Sequence, residues 1–197
     1  MPKGIPLSEE EIDRRRHEIF QSAVPLIVNQ GYDNTSMQDI AQAAGVGKST
    51  LYDYFPTKLH VLLFVFEEEL TNLQAQCENI IVQELTLQEK FTNVLKTYLN
   101  FLIKNKGLFG VITTRAVQLE LAGREQIMKR RYAYQDLVRS LLEQGIRQGL
   151  FRPINTRLTA RMLISATEVL SYTTRPTGTP EEMLADVMDI FMEGIKQ

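Results

Sequence analysis

TSMQDIAQAAGVGKSTLYDYFPTK, Thr35 to Lys58, holds two short amphipathic segments separated by a glycine. In the first, Thr35 followed by Gln38 has the spacing of a capping box, and Ile40, Ala41 and Ala44 recur at helical intervals. Gly45 then supplies a backbone free to turn. The second segment runs from about Gly47 to Tyr54 and stops at Phe55-Pro56, because the residue before a proline avoids the helical region. Two short helices joined by a glycine-containing turn form a helix-turn-helix. Ile40, Ala41, Ala44, Val46 and Leu51 fit its inner face. Lys48, Ser49, Thr50, Tyr52 and Asp53 point outward on a helix that suits the major groove of DNA.

The same letters contain GVGKST, Gly45 to Thr50, which looks like the end of a phosphate-binding loop. The full loop requires a glycine five residues before Gly47, where this chain has Gln42, and a preceding strand. Asp39 to Ala44 is apolar at helical spacing, so nucleotide hydrolysis is set aside.

Outward from this segment the apolar spacing stays helical. Before it, Ile12, Ile19, Ala23, Leu26 and Ile27 share one side of a helix over 11–30, with Pro25 expected to bend it and Gly31 to end it. After it, Thr57 caps a long helix over about 58–83. Further helices are expected over 87–105, 107–120, 123–148, 156–173 and 181–195. Gly149 stops the helix over 123–148, with Pro153 beyond it. Thr179-Pro180-Glu181-Glu182 has a cap, a proline at the first position and an acid at the third, a strong start for the last helix. No alternating strand pattern and no repeat occurs. The expected fold is all-α with about nine helices: a three-helix unit in 1–57 and a larger helical body in 58–197.

Composition narrows the function. Of 197 residues, 44% are hydrophobic and 23% charged, ordinary for a globular chain. The lone cysteine, Cys77, allows no internal disulfide. No apolar run reaches the roughly 18 residues of a membrane span, and the N-terminal residues lack a signal-peptide core, so the reading is a cytoplasmic protein with no membrane contact. The net charge is −2, and residues 1–60 hold six Lys and Arg against eight Asp and Glu. DNA binding must therefore rest on where the cations point. His17 and His60 are not spaced as a metal pair, and no nucleophile with a base is evident. Neither an enzyme, a metal nor a cofactor is expected.

The segment resembles the TetR family of bacterial regulators. The resemblance rests on Gly31-Tyr32, Thr35, Ile40-Ala41, Ala44-Gly45-Val46, Lys48, Thr50-Leu51-Tyr52, Phe55 and Lys58, within about residues 13–73. LLEQGIRQGLFR, Leu141 to Arg152, is similar to a stretch that precedes the family's dimerisation helices. The resemblance implies that Thr35 and Ser36 touch phosphate. It implies that Lys48, Ser49 and Thr50 approach base edges or phosphates, that Tyr52 and Tyr54 contact the backbone, and that Lys58 holds phosphate. Three positions depart from the pattern: Gly47 where serine is common, Ser49 where glycine is common, and Tyr54 where histidine is common. Asp53 beside a polyanion is unfavourable unless it accepts from cytosine.

A helix-turn-helix reads one half-site, so a palindromic operator of double-stranded DNA needs two copies. Leu158, Met162, Ala166 and Val169 form one apolar stripe in the body, and Leu184, Val187, Met188 and Phe191 form another. The resemblance implies a homodimer built on both. It also implies a pocket for a small apolar or amphipathic effector, for which Phe66, Leu70, Tyr98, Leu102, Ile112, Arg115 and Leu137 are candidates. Arg115, Glu120 and Arg124 could meet a polar head. VQLELAGREQI, Val117 to Ile127, is similar to family members that sense fatty acyl-CoA. The expected function is a repressor released by ligand. The alternative is a helical ligand-binding or scaffolding protein whose DNA unit has weakened.

Overall fold

The computed structural model describes residues 8–106 and 121–196. Among them are eight helices: α1 (Glu9–Gln30), α2 (Met37–Ala43), α3 (Lys48–Tyr54), α4 (Lys58–Val82), α5 (Leu87–Lys104), α6 (Leu121–Arg147), α7 (Thr156–Tyr172) and α8 (Pro180–Ile195). The helix expected over 107–120 lies outside the described residues, as do Ile112, Arg115 and Glu120. The chain divides into two compact units, with one break inside α4 between Glu67 and Glu68.

In the first unit, Ser8 caps α1 and exchanges bonds with Glu11, while Glu9, Glu10 and Glu11 load the positive end of the helix dipole. Pro25 is exposed and does not end the helix, which continues to Gln30. Gly31 ends it with φ 85°, a left-handed conformation that a side chain would resist. Ile19, Ala23 and Ile27 are buried one helical turn apart. They meet Ile40, Ala41 and Leu51 where α1, α2 and α3 pack on one another. Gly45, at φ 65°, makes the turn between α2 and α3.

The cap of α2 falls one residue later than expected. Ser36, not Thr35, accepts from the Asp39 amide, and Asp39, not Gln38, closes the box. The reason is tertiary: Thr35 is only 1% exposed, and its hydroxyl donates to Gly31 O at 2.9 Å. Thr57 caps α4 as expected, its hydroxyl oxygen accepting from the His60 amide at 3.4 Å.

In the second unit α5, α6, α7 and α8 pack around Phe91, Val94, Leu95, Leu99, Leu142 and Leu163. Capping boxes start α5 (Thr86 with Glu89) and α8 (Thr179 with Glu182, Pro180 at the first position). The end of α6 is a Schellman motif. The Leu150 amide donates to Gly145 O at 2.9 Å, the Gly149 amide donates to Ile146 O at 3.1 Å, and Gly149 has φ 70°. The chain then turns Phe151 back over Gly145. A methyl group at Gly145 would sit 2.0 Å from the Phe151 ring. Next to it, Arg152 closes the end of α8: its amide donates to Ile195 O at 3.0 Å and its guanidinium to Gly194 O. LLEQGIRQGLFR is thus a helix stop whose two glycines have different duties. Gly149 takes the left-handed backbone, and Gly145 makes room for a ring.

Candidate nucleic-acid interface

α3 is the outward-facing helix of the first unit. Leu51 anchors it from below and is fully buried. Phe55, which follows α3 directly, belongs to a group of four rings in edge contact with His17, Phe20 and Phe64. Such aromatic pairs add stabilisation beyond their buried area. Lys48, Ser49, Thr50, Tyr52 and Asp53 are exposed along its other side, and Tyr54 is half-buried. Gly47 stands at the cap position with φ −67° and ψ 148° and offers no side-chain cap. The exposed set is the one that the sequence places outward, with one ammonium, two hydroxyls, a phenol and a carboxylate.

Two residues expected to meet phosphate are placed differently. Thr35 is buried, so its hydroxyl serves the turn after α1. Lys58 extends back from α4 to the same turn: its ammonium donates to the carbonyls of Tyr32 and Thr35 and lies 4.1 Å from the centre of the Tyr32 ring. Two charge-assisted bonds and a cation–π contact hold that turn. Lys58 is a positioning residue, tying the start of α2 to α4. Ser36 is exposed, but its hydroxyl donates to Asp39 at 2.7 Å. The Ser36 amide and hydroxyl together hold the Asp39 carboxyl below its ordinary pKa, with the Lys58 charge adding to the effect.

On α1, Arg15 pairs with Glu18 at 2.9 Å and Arg16 with Asp13 at 3.6 Å, while Arg14 is exposed. Among the described residues of this unit, Lys48 and Arg14 are exposed cations in no ion pair. The clamp by Lys58 was invisible to spacing arguments, because its partners lie 23 and 26 residues away.

The body holds a polar cluster of its own. The Tyr98 hydroxyl donates to Glu168 at 2.8 Å, and Arg131 reaches the same oxygen at 3.3 Å. Tyr98 stacks on Tyr134 at 4.5 Å between ring centres. Burial, then the Glu168 charge, pushes the Tyr98 hydroxyl far above the ordinary tyrosine range. Cys77 is buried, and that burial pushes its thiol up to about 12. It is a core side chain without thiolate character at neutral pH. Of the residues expected to line an effector pocket, Phe66 is buried in the first unit. Leu70, Tyr98 and Leu102 are buried in the second, and Leu137 is half-buried there.

The two dimerisation stripes divide. Leu158, Met162 and Val169 are exposed, and Ala166, Val187 and Phe191 are half-buried. Leu184 and Met188 are not available to a partner. They are buried with Met183 and Ile195 on the side of α8 that faces its own unit. Tyr172 and Ile190, not included in the expected set, are exposed apolar neighbours at 57% and 77%.

Comparison with known proteins agrees with this layout. Residues 19–63 match the model of bacterial regulatory proteins of the tetR family, and residues 84–195 match the tetracyclin repressor-like C-terminal domain. The fatty acid metabolism regulator protein of Bacillus subtilis (strain 168) is 25% identical over 182 residues, 90% of this chain and 94% of its own. The crystal structure of the regulator PfmR from Thermus thermophilus superposes with a TM-score of 0.74 at 25% identity, covering 91% of this chain and 99% of that one. FadR from Bacillus subtilis in complex with stearoyl-CoA shares the fold, with a TM-score of 0.74 at 23% identity, covering 91% and 98%.

Proposed function

The chain belongs to the TetR family of bacterial transcriptional regulators, and from that premise we propose that it is a homodimeric repressor in the cytoplasm, released from a palindromic operator by an amphipathic acyl-CoA-like effector. As a family member it is a regulator of transcription and not an enzyme. The observation that carries the reading is the exposed face of α3, where Lys48, Ser49, Thr50 and Tyr52 stand together on a helix anchored by the buried Leu51. Side chains of these kinds reach base edges and phosphates when such a helix enters the major groove. One unit covers one half-site. Two copies with reading helices about 34–36 Å apart cover successive turns of the duplex.

Release follows from differential binding. An effector that prefers a body conformation with the wrong half-site spacing lowers DNA affinity by its preference for that conformation. α4 belongs to both units, which makes it an element through which such a change can reach α3. The acyl-CoA class is favoured by the similarity to a fatty acid metabolism regulator over nearly the whole chain. Among the described residues no helix is long and apolar enough to cross a membrane.

The test is binding to DNA upstream of the chain's own coding region, followed by anisotropy across a salt series, with and without a long-chain acyl-CoA. A specific site with a steep salt slope, weakened by acyl-CoA but not by free coenzyme A, is the expected result. Equal binding to unrelated DNA would return the chain to a helical binding protein with a weakened DNA unit.

A further inference from the structure

Asp53 is poorly placed for the stability of α3. It is exposed and lies in the last turn of the helix, which holds no basic residue, so its carboxylate meets the negative end of the helix dipole. Among the described residues it is in no ion pair. Its neighbours one turn back are Ser49 and Thr50. The one cation on α3, Lys48, is five residues away, outside the three- and four-residue spacing at which helix side chains meet. A DNA backbone repels the same carboxylate. Positions that break local rules in this way are those where function is expected.

Leu51 sets the direction in which Asp53 stands. Each residue turns an α-helix by about 100°, and Leu51 is fully buried. Lys48 and Tyr54 then lie about 60° from the buried line, Thr50 and Tyr52 about 100°, and Ser49 and Asp53 about 160°. Exposure agrees: Tyr54 is half-buried, whereas Ser49 and Asp53 are exposed. When such a helix enters the major groove, with Leu51 toward its own unit, side chains nearer the buried line meet the groove walls, where phosphates stand. Ser49 and Asp53, on the crest, meet the floor, where the base edges lie.

The two crest residues differ in what they tolerate. A serine hydroxyl both donates and accepts, whereas a carboxylate only accepts. On the major-groove floor the donors are the amino groups of cytosine N4 and adenine N6, while guanine O6 and N7 and thymine O4 accept. Adenine sets its N7 acceptor beside its amino group, which repels a carboxylate; cytosine has no acceptor there. We infer that Asp53 accepts from the N4 amino group of a cytosine in each half-site, and rejects guanine and thymine at that position by setting acceptor against acceptor. This rests on the DNA-reading face proposed for α3 and names a base that it selects. The selectivity is gained against affinity for DNA of any sequence, because neighbouring phosphates repel the same charge.

The test is selection from a library of duplexes randomised over about two helical turns, about 20 base pairs, by the full-length native chain, Asp53→Ala and Asp53→Asn. Anisotropy on the selected duplexes follows. The native chain is expected to enrich a C·G pair at one fixed position of each half-site. Exchange of that pair for T·A weakens native binding at least about fivefold per half-site, the lower end for a good base contact, and leaves Asp53→Ala unaffected. Asp53→Asn enriches adenine at the same position, since an amide matches adenine N6 and N7. A selected sequence that Asp53→Ala does not change overturns the inference and leaves α3 as the reading helix. So does a gain in affinity on removing the acid that is equal for every duplex. A native chain that enriches no sequence overturns the DNA-reading face, and the inference with it. Helical circular dichroism, expected unchanged, separates lost reading from lost fold.

Discussion

Gly145→Ala probes the α6 stop directly. In an ordinary helix the exchange favours folding by about 1 kcal/mol, because alanine loses less backbone entropy than glycine. Here the new methyl would stand 2.0 and 2.2 Å from two carbons of the Phe151 ring, well inside contact distance. The ring is 8% exposed and lies edge-on to Phe91 with centres 6.0 Å apart. Its backbone is held as well, because the Phe151 and Leu150 amides both donate to Gly145 O, at 3.2 and 2.9 Å. The ring must swing out, losing much of the roughly 1.5–3 kcal/mol that burying a phenylalanine contributes, or the segment must shift at an overpacking cost of about 1–3 kcal/mol. After the helix gain, the net loss is up to about 2 kcal/mol. With Phe151→Ala the obstacle is gone, and Gly145→Ala should then stabilise by up to about 1 kcal/mol. The sign reverses, and the coupling is about 1–3 kcal/mol. The chain has no tryptophan, so urea unfolding is followed by helical circular dichroism, at one fixed protomer concentration because dimerisation adds to apparent stability. A Gly145→Ala effect equal in both backgrounds, or stabilisation in the native one, would refute the ring-on-glycine explanation.

Other outcomes follow from the first unit and the caps. Lys48→Ala should weaken operator binding and reduce the salt slope by about 0.9, one phosphate contact, whereas Lys58→Met should weaken binding with the slope unchanged and destabilise the chain by about 1–2 kcal/mol through lost charged hydrogen bonds; a reduced slope for Lys58→Met in the same anisotropy series would restore it as a phosphate contact. Gly47→Ser should stabilise by about 0.5–1 kcal/mol in urea melts, since its new Cβ meets nothing closer than 3.6 Å and it adds a cap while stiffening the unfolded chain. Hydrogen bonds from Ser8, Ser36, Thr86 and Thr179 hold Glu11, Asp39, Glu89 and Glu182 below their ordinary pKa. Their stabilisation is therefore complete above the unfolded values of 4.5 for Glu and 3.8 for Asp, and is lost as pH falls through the lower folded values. Acid titration of helicity should show this loss, and Glu89→Gln should make it smaller.

Where sequence spacing carried the fold, the physics was local. Proline after a threonine cap, glycine at a positive φ and apolar residues every third or fourth place each act within one or two turns. The starts of α4 and α8 and the ends of α1 and α6 were therefore readable. Thr35 and Ser36 show where local reasoning runs out. Both are hydroxyls, and Gln38 and Asp39 stand three residues beyond them, so either pair can form a box. The choice falls to burial: Thr35 reaches carbonyls of the preceding helix end, Gly31 O and Leu26 O, which leaves Ser36 to cap. Leu184 and Met188 fail for a related reason. α8 is apolar on more than one side, and a helical period does not say which side meets its own unit and which meets a partner.

The acidic balance of residues 1–60 has the same origin. Counted as a total, eight acids against six cations argue against a DNA-binding unit. Placed in the structure, the acids have local work. Glu9, Glu10 and Glu11 fill the first turn of α1, Asp39 closes the box of α2, and Asp13 and Glu18 pair with Arg16 and Arg15. On α3 itself the charged side chains are Lys48 and Asp53. A bulk count treats every charge as if it acted on a distant polyanion. Exposed charges more than a Debye length of about 8–10 Å away are largely screened, so the face that meets DNA is governed by the few groups on it. On the proposed reading, with a single ammonium on the exposed side of α3, affinity leans on hydroxyl, phenol and backbone contacts whose strength depends on fit more than on charge.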